Sequence, residues 1–197
     1  MNFRENWKSV LVIGIGFFVV AFIGIIAGSW FVNYRSAQAY SERGPKYKPI
    51  DNCLLKENDL FPDLTLLDID GNQVNGQDIF HGNITAVMFI EPGCDPCKLA
   101  MKYWSSFKDN LPTDFDIVAI SGTGGEYLMK YLKESEFPYP VYSDTAHRFV
   151  IDYGMNGFPS VVGVGSDGKV AFPFSHIHGD FSPIDVYMAI NKKPAAN

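Results

Sequence analysis

"NITAVMFIEPGCDPCK", residues 83–98, decides the fold. Ile84 to Ile90, apolar but for Thr85, is a run of strand length of the kind buried on both faces of a sheet. Glu91, Pro92 and Gly93 end it, and two cysteines three positions apart follow at once. Cys94 then stands at the end of a buried strand and the start of a helix. There the unpartnered N–H groups and the positive end of the helix dipole stabilise a thiolate. Cys97 lies one turn on, where it can attack a mixed disulfide formed at Cys94. Pro96 suits a helix start, because the N–H it lacks would have had no partner there. The stretch therefore predicts a redox-active dithiol.

A zinc clip fits less well, since a single C-x-x-C lacks the second pair or the histidine spacing of a structural site. A disulfide scaffold is excluded because the chain has only three cysteines in 197 residues. The exchange chemistry calls for no cofactor and no metal.

Outward from the motif, strands and helices alternate. "DLTLLDIDGNQV" reads as two short strands about an Asp70-Gly71 turn. After the cysteines, Leu99, Tyr103 and Phe107, with Met101, Trp104 and Leu111, suggest an amphipathic helix, and these aromatic residues are expected in the core. "FDIVAIS" is a second buried strand, "GEYLMKYLKES" a second helix, "YPVYSD" a short strand and "AHRFVIDYG" a third helix. "PSVVGVGSDGKVAF" is a hairpin turned by Asp167-Gly168, and "SPIDVYMAINK" a final helix with Ser182 as N-cap and Pro183 at its first position. The expected class is α/β with a mixed sheet flanked by helices.

The N-terminal region is different material. After a flank of residues 1–9, residues 10–32, "VLVIGIGFFVVAFIGIIAGSWFV", carry no charge. About 20 residues of helix suffice to cross a bilayer's hydrocarbon. The run is apolar on every face, so a transmembrane anchor is expected, with Trp30, Phe31 and Tyr34 at the interface. A cleaved signal peptide is the rival, given "AQA" at Ala37 to Ala39, but the run exceeds the 7–15 residues usual for a signal core. Arg4 and Lys8 are balanced by Arg35, Arg43, Lys46 and Lys48, so basic residues alone do not set the orientation. Residues 33–57 are polar and punctuated by Gly44-Pro45 and Pro49, which reads as a tether to a domain over 58–192 with a tail at 193–197. Cys53 falls in the tether as a half-buried apolar residue where the domain begins; an intermolecular disulfide or a resolving thiol is the alternative.

Composition narrows the partners. With 47% hydrophobic and 19% charged residues the chain can bury one ordinary core, and a net charge of −6 leaves no basic footprint for nucleic acid. His176 and His178 share a strand face without a third ligand, which favours surface residues over a metal site. "GTGG" at Gly122 to Gly125 precedes a helix but lacks the lysine of a phosphate loop.

In order, "FPDLTLLDIDGNQV", "VMFIEPGCDPCK", "FDIVAIS" and "FPYPVYSDTAHRFVIDYGMNGFPSVVGVGSDGKV" resemble the thioredoxin fold. With the N-terminal anchor they resemble its membrane-tethered TlpA/ResA-like branch of thiol–disulfide oxidoreductases. The resemblance covers roughly Asn58 to Lys192. It implies that Cys94 attacks a substrate disulfide and Cys97 resolves the mixed disulfide. It also implies that Phe158-Pro159, in "GFPS", is a cis bond that docks substrate backbone. The implied partners are exported proteins with disulfides, such as apocytochrome c or a copper-site protein, and a membrane electron donor. The implied place is the bacterial inner membrane, with the domain outside.

Three departures bear on the site. Gly93 replaces the tryptophan usual before the first cysteine, leaving the motif less covered. Met88 stands where plain thioredoxins bury an aspartate. Glu91 and Asp95 become the nearest carboxylates in sequence. An anionic Asp95 would raise the Cys94 pKa by like-charge repulsion and favour a reducing couple, or it is simply a solvated helix-start carboxylate. Two rival functions stand beside this reading. A copper-delivery protein would add His147 or His178 to the two sulfurs, and a thiol peroxidase would use Cys94 on peroxide, although Glu91 occupies the place of that family's threonine.

Overall fold

The computed structural model describes residues 52–192 together with Lys48, Pro49 and Gly24. Gly24 apart, the span expected over 10–32 lies outside the described residues, as do most of the tether and the tail. Among the described residues no helix is long and apolar enough to cross a membrane. In chain order the strands are β1 (Lys48–Pro49), β2 (Thr65–Leu67), β3 (Gln73–Asn75), β4 (Ile84–Ile90), β5 (Phe115–Ser121), β6 (Val141–Ser143), β7 (Ser160–Val164) and β8 (Val170–His176). The helices are α1 (Asp95–Ser105), α2 (Gly125–Ser135), α3 (Arg148–Tyr153) and α4 (Pro183–Asn191).

These strands form one mixed sheet in the order β1-β8-β7-β4-β5-β6-β2-β3. β4 pairs parallel with β5 and antiparallel with β7, and β5 pairs parallel with β6. The remaining pairings are antiparallel. Two parallel neighbours on one side of β4 require crossovers, and α1 and α2 supply them.

Both faces of β4 are buried, as its apolar run predicts. Alternate residues point to opposite faces. Ala86, Met88 and Ile90 join a cluster with Cys97, Met101 and Trp104 of α1, Leu128 and Tyr131 of α2, and Val186 of α4. Val87 and Phe89 join a second cluster with Phe149 of α3 and with Cys53, Leu55 and Phe61 from the N-terminal segment. The sheet is thus covered on both sides, with the dithiol on the α1 side.

Two expectations need correction. The buried stripe of α1 is Cys97, Ala100, Met101 and Trp104, which keeps the i, i+3, i+4, i+7 spacing of one helix face. Leu99 is 71% exposed and Tyr103 36%, so of the predicted aromatic set Trp104 alone is fully buried. The small residues Cys97 and Ala100 share the packing face with Met101 and Trp104. The tether also ends earlier than expected. Cys53 is 1% exposed and Leu55 4%, Leu54 N–H donates to Tyr153 O at 2.8 Å, and β1 pairs with β8. Residues on the N-terminal side of Asn58 thus fill the core beneath α3.

Candidate active site

β4 ends at Ile90, and the chain turns through Glu91, Pro92 and Gly93 before α1 begins at Asp95. Cys94 is the N-cap of α1, its sulfur accepting from Cys97 N–H at 3.1 Å. Cys94 N–H donates to Glu91 O at 3.1 Å, which closes the turn. Cys94 and Cys97 are joined in a disulfide with Cα atoms 5.2 Å apart. Cys94 is partly exposed while Cys97 is 0% exposed. Only the first sulfur is open to a substrate, and the second is placed to displace whatever the first has captured.

Pro96 occupies the first turn of α1, where its missing N–H costs nothing. Asp95 precedes it and is exposed. Met88, one strand turn below, is fully buried in the same cluster as Cys97, so the surroundings of the second sulfur are apolar.

The loop before β7 faces the dithiol. Phe158-Pro159 is a cis peptide, and Cys94 Sγ lies 3.9 Å from Phe158 O. That approach is a contact without a hydrogen bond, since a disulfide sulfur carries no proton. Cys94, Cys97, Phe158 and Pro159 therefore come together at one place, with Asp95 and Pro96 beside them.

Glu91 points to a different neighbourhood. Its Oε1 accepts from Thr123 Oγ1. A Cβ added to Gly122 would lie 2.7 Å from His147 Nδ1 and 3.1 Å from Glu91 Oε2. The bare backbone of Gly122 is what lets the two side chains approach it, which gives the "GTGG" connection a packing role in place of phosphate binding. His147 thus sits by Glu91. His178 is exposed, with its ring centroid 5.7 Å from that of His176. Among the described residues no group of three or more His, Cys, Asp or Glu side chains is placed to hold a metal ion. Cys53 is buried in the cluster on the opposite face of the sheet from Cys97, more deeply than its expected half-burial.

Two residues escaped the sequence reading. Tyr131 of α2 donates its hydroxyl to Cys94 O at 3.0 Å. Its pKa is pushed up to about 12, first by burial and then by the charges of Asp95 and Glu91. Tyr127, one turn earlier, places its hydroxyl 3.1 Å from where a Cβ on Gly93 would stand. Gly93 has φ +86, a conformation that favours glycine. Their i, i+4 spacing on one helix was visible, but not that the helix crosses to the motif. Lys98 of α1 also reaches α2, pairing with Glu134 at 3.0 Å and holding that carboxyl below its usual range.

A partly exposed cysteine at a helix start, a buried cysteine one turn on and a facing cis-proline loop on this sheet define a thioredoxin-fold dithiol enzyme. The redoxin family model matches residues 56–184, and the chain belongs to that family. It is a thiol–disulfide oxidoreductase. The thioredoxin domain of a thiol-disulfide oxidoreductase from Bacteroides vulgatus is 26% identical, with a TM-score of 0.54 over 70% of this chain and 97% of that one. A thiol:disulfide interchange protein from Bacteroides sp. is also 26% identical, with a TM-score of 0.55 over 70% and 90%. The fold is shared with a thiol:disulfide interchange protein DsbE from Chlorobium tepidum, 22% identical, with a TM-score of 0.55 over 69% and 99%. No curated protein matches in sequence.

Proposed function

We propose that this chain is a membrane-tethered reductase that acts on disulfides of exported proteins. Residues 10–32 anchor it in a bacterial inner membrane with the domain on the extracytoplasmic side. The charge-free run supports the anchor, and the family's exchange chemistry supports the placement, since dithiol reductants outside the cytoplasm serve proteins whose cysteines must stay reduced. Apocytochrome c and copper-site proteins are substrates of that kind, and a membrane protein supplies the electrons.

In this reading Cys94 thiolate attacks one sulfur of the substrate disulfide and the other leaves as thiolate. Cys97 then attacks Cys94 Sγ, which releases the second substrate thiolate and leaves the Cys94–Cys97 disulfide. Two electrons pass to the substrate, and the membrane donor returns them. Phe158 and Pro159 present backbone to the substrate chain, while Asp95 and Pro96 shape the dithiol's surroundings.

The observation that carries the direction is Asp95, exposed at the first position of α1 directly after Cys94. A carboxylate there opposes a negative charge on the first sulfur, and a reduced form without thiolate stabilisation gives up its electrons more readily. The test is the reduction potential of the dithiol in thiol buffers, read by alkylation. A value of about −270 mV or lower is expected, and one near about −120 mV would make the protein an oxidant. In its own membrane, Cys97→Ser is expected to accumulate mixed disulfides with exported proteins, visible on non-reducing gels. Their absence there would remove the assigned substrates.

A further inference from the structure

We propose that Tyr127 is a substrate-contacting residue that, together with Asp95, selects disulfides flanked by a lysine or arginine. This deepens the disulfide-exchange reading and rests on it, whichever way electrons flow.

The inference starts from Gly93. The side chain absent there leaves the turn before Cys94 bare, and a residue from another element leans over it. The Tyr127 hydroxyl comes within 3.1 Å of the position a Gly93 Cβ would take, while its side chain stays 58% exposed. Tyr131, one helical turn on, fixes α2 against the motif through Cys94 O. The anchored tyrosine and the exposed one thus have separate parts: the first holds the helix at the dithiol, and the second presents an aromatic surface to whatever approaches Cys94.

The charge next to Cys94 in the chain is a carboxylate. Asp95 is exposed at the first position of α1, Glu91 stands before the turn, and both act electrostatically on Tyr131. Glu126 lies in the first turn of α2. Lys98 is the cation next to the motif in sequence, and Glu134 engages it, with Lys130 also acting on that carboxylate. A cation arriving at Cys94 with the substrate would be offered the Tyr127 ring, which borders Gly93, and the Asp95 carboxylate, which follows Cys94. Each is an attraction suited to a guanidinium or ammonium on a flexible stem. An acidic flank would meet repulsion from Asp95.

The test uses the reduced full-length chain in detergent and two cyclic disulfide peptides that differ only in carrying Lys or Glu beside the attacked cysteine. Each single-turnover rate is divided by that of dithiothreitol on the same peptide, which removes the flank's effect on the substrate's own sulfur. A Lys-over-Glu preference of about three- to tenfold is expected from one exposed cation–π contact and one exposed ion pair. Tyr127→Ala and Asp95→Asn should each bring the ratio towards one, whereas Tyr127→Phe, which keeps the ring, should retain most of it. Added salt should weaken the Asp95 part more than the aromatic part. Equal normalised rates in the unmodified protein, or a ratio untouched by Tyr127→Ala, would overturn the selectivity alone. Reduction of neither peptide, with both thiols titrating normally, would overturn the exchange reading and the selectivity with it.

Discussion

At the scale of single residues, the three cysteines have different environments that their sequence positions only partly announce. Cys94 and Cys97 are legible because strand end, turn, cysteine spacing and Pro96 are all local. Cys53 is not, since nothing near it in the chain says that Leu55, Phe61 and Phe149 will enclose it. Its thiol is 1% exposed and its pKa is raised, chiefly by burial. A thiol both buried and protonated reacts slowly. Titration of the reduced native protein with an aromatic disulfide reagent is therefore expected to count two thiols promptly, Cys94 by direct attack and Cys97 by displacing the reagent from Cys94, and a third only after denaturation. Three prompt thiols would return Cys53 to the reactive set. Gly93 teaches the same lesson from the other side: its lost side chain was readable, but the approach of Tyr127, from beyond a crossover strand, was not.

Among elements, the strands and helices around β4 follow from patterns of one segment each. α4 was readable to its cap, where Ser182 and Asp185 complete a reciprocal pair with Pro183 in the first turn. What holds α4 against the sheet is less visible. A Cβ on Gly163 of β7 would lie 2.7 Å from Phe172 Cβ, 2.7 Å from Ile190 Cδ1 and 2.9 Å from Val186 Cγ1. The strand needs no glycine for its own backbone; the helix and β8 need the space. Gly163→Ala is expected to destabilise the domain by about 1–3 kcal/mol, read as a lower denaturant midpoint at unchanged slope. An unchanged midpoint would mean that α4 shifts without loss. The face of α1 was misread for a related reason: Leu99 and Tyr103 look more apolar than Cys97 and Ala100, yet the sheet accepts the smaller pair.

For the whole molecule, burial of phenols sets a limit on the alkaline side. Burial raises the pKa of Tyr131 to about 12 and those of Tyr139 and Tyr142 in the same direction. The fold thus favours the protonated phenol, so this contribution is complete below the unfolded value of about 10 and disappears as pH rises to about 12. Tyr131→Phe should flatten that part of a stability–pH curve, by at most about 2–3 kcal/mol. The N-terminal boundary is the stronger whole-molecule test. A fragment beginning at Lys46 keeps β1, Cys53 and Leu55, whereas one beginning at Asn58 loses them. The shorter fragment leaves the space under Phe149 and Phe61 unfilled, and losing one buried leucine alone costs about 2–5 kcal/mol. It also uncovers the outer edge of β8 at Ser175 and His176, where β1 pairs, and an open strand edge invites association. The Asn58 fragment is therefore expected to unfold at least about 2 kcal/mol earlier in denaturant and to self-associate in sedimentation. The Lys46 fragment should stay monomeric. Equal midpoints for the two would show that residues 46–57 pack on the domain without stabilising it, and would return the boundary to Asn58.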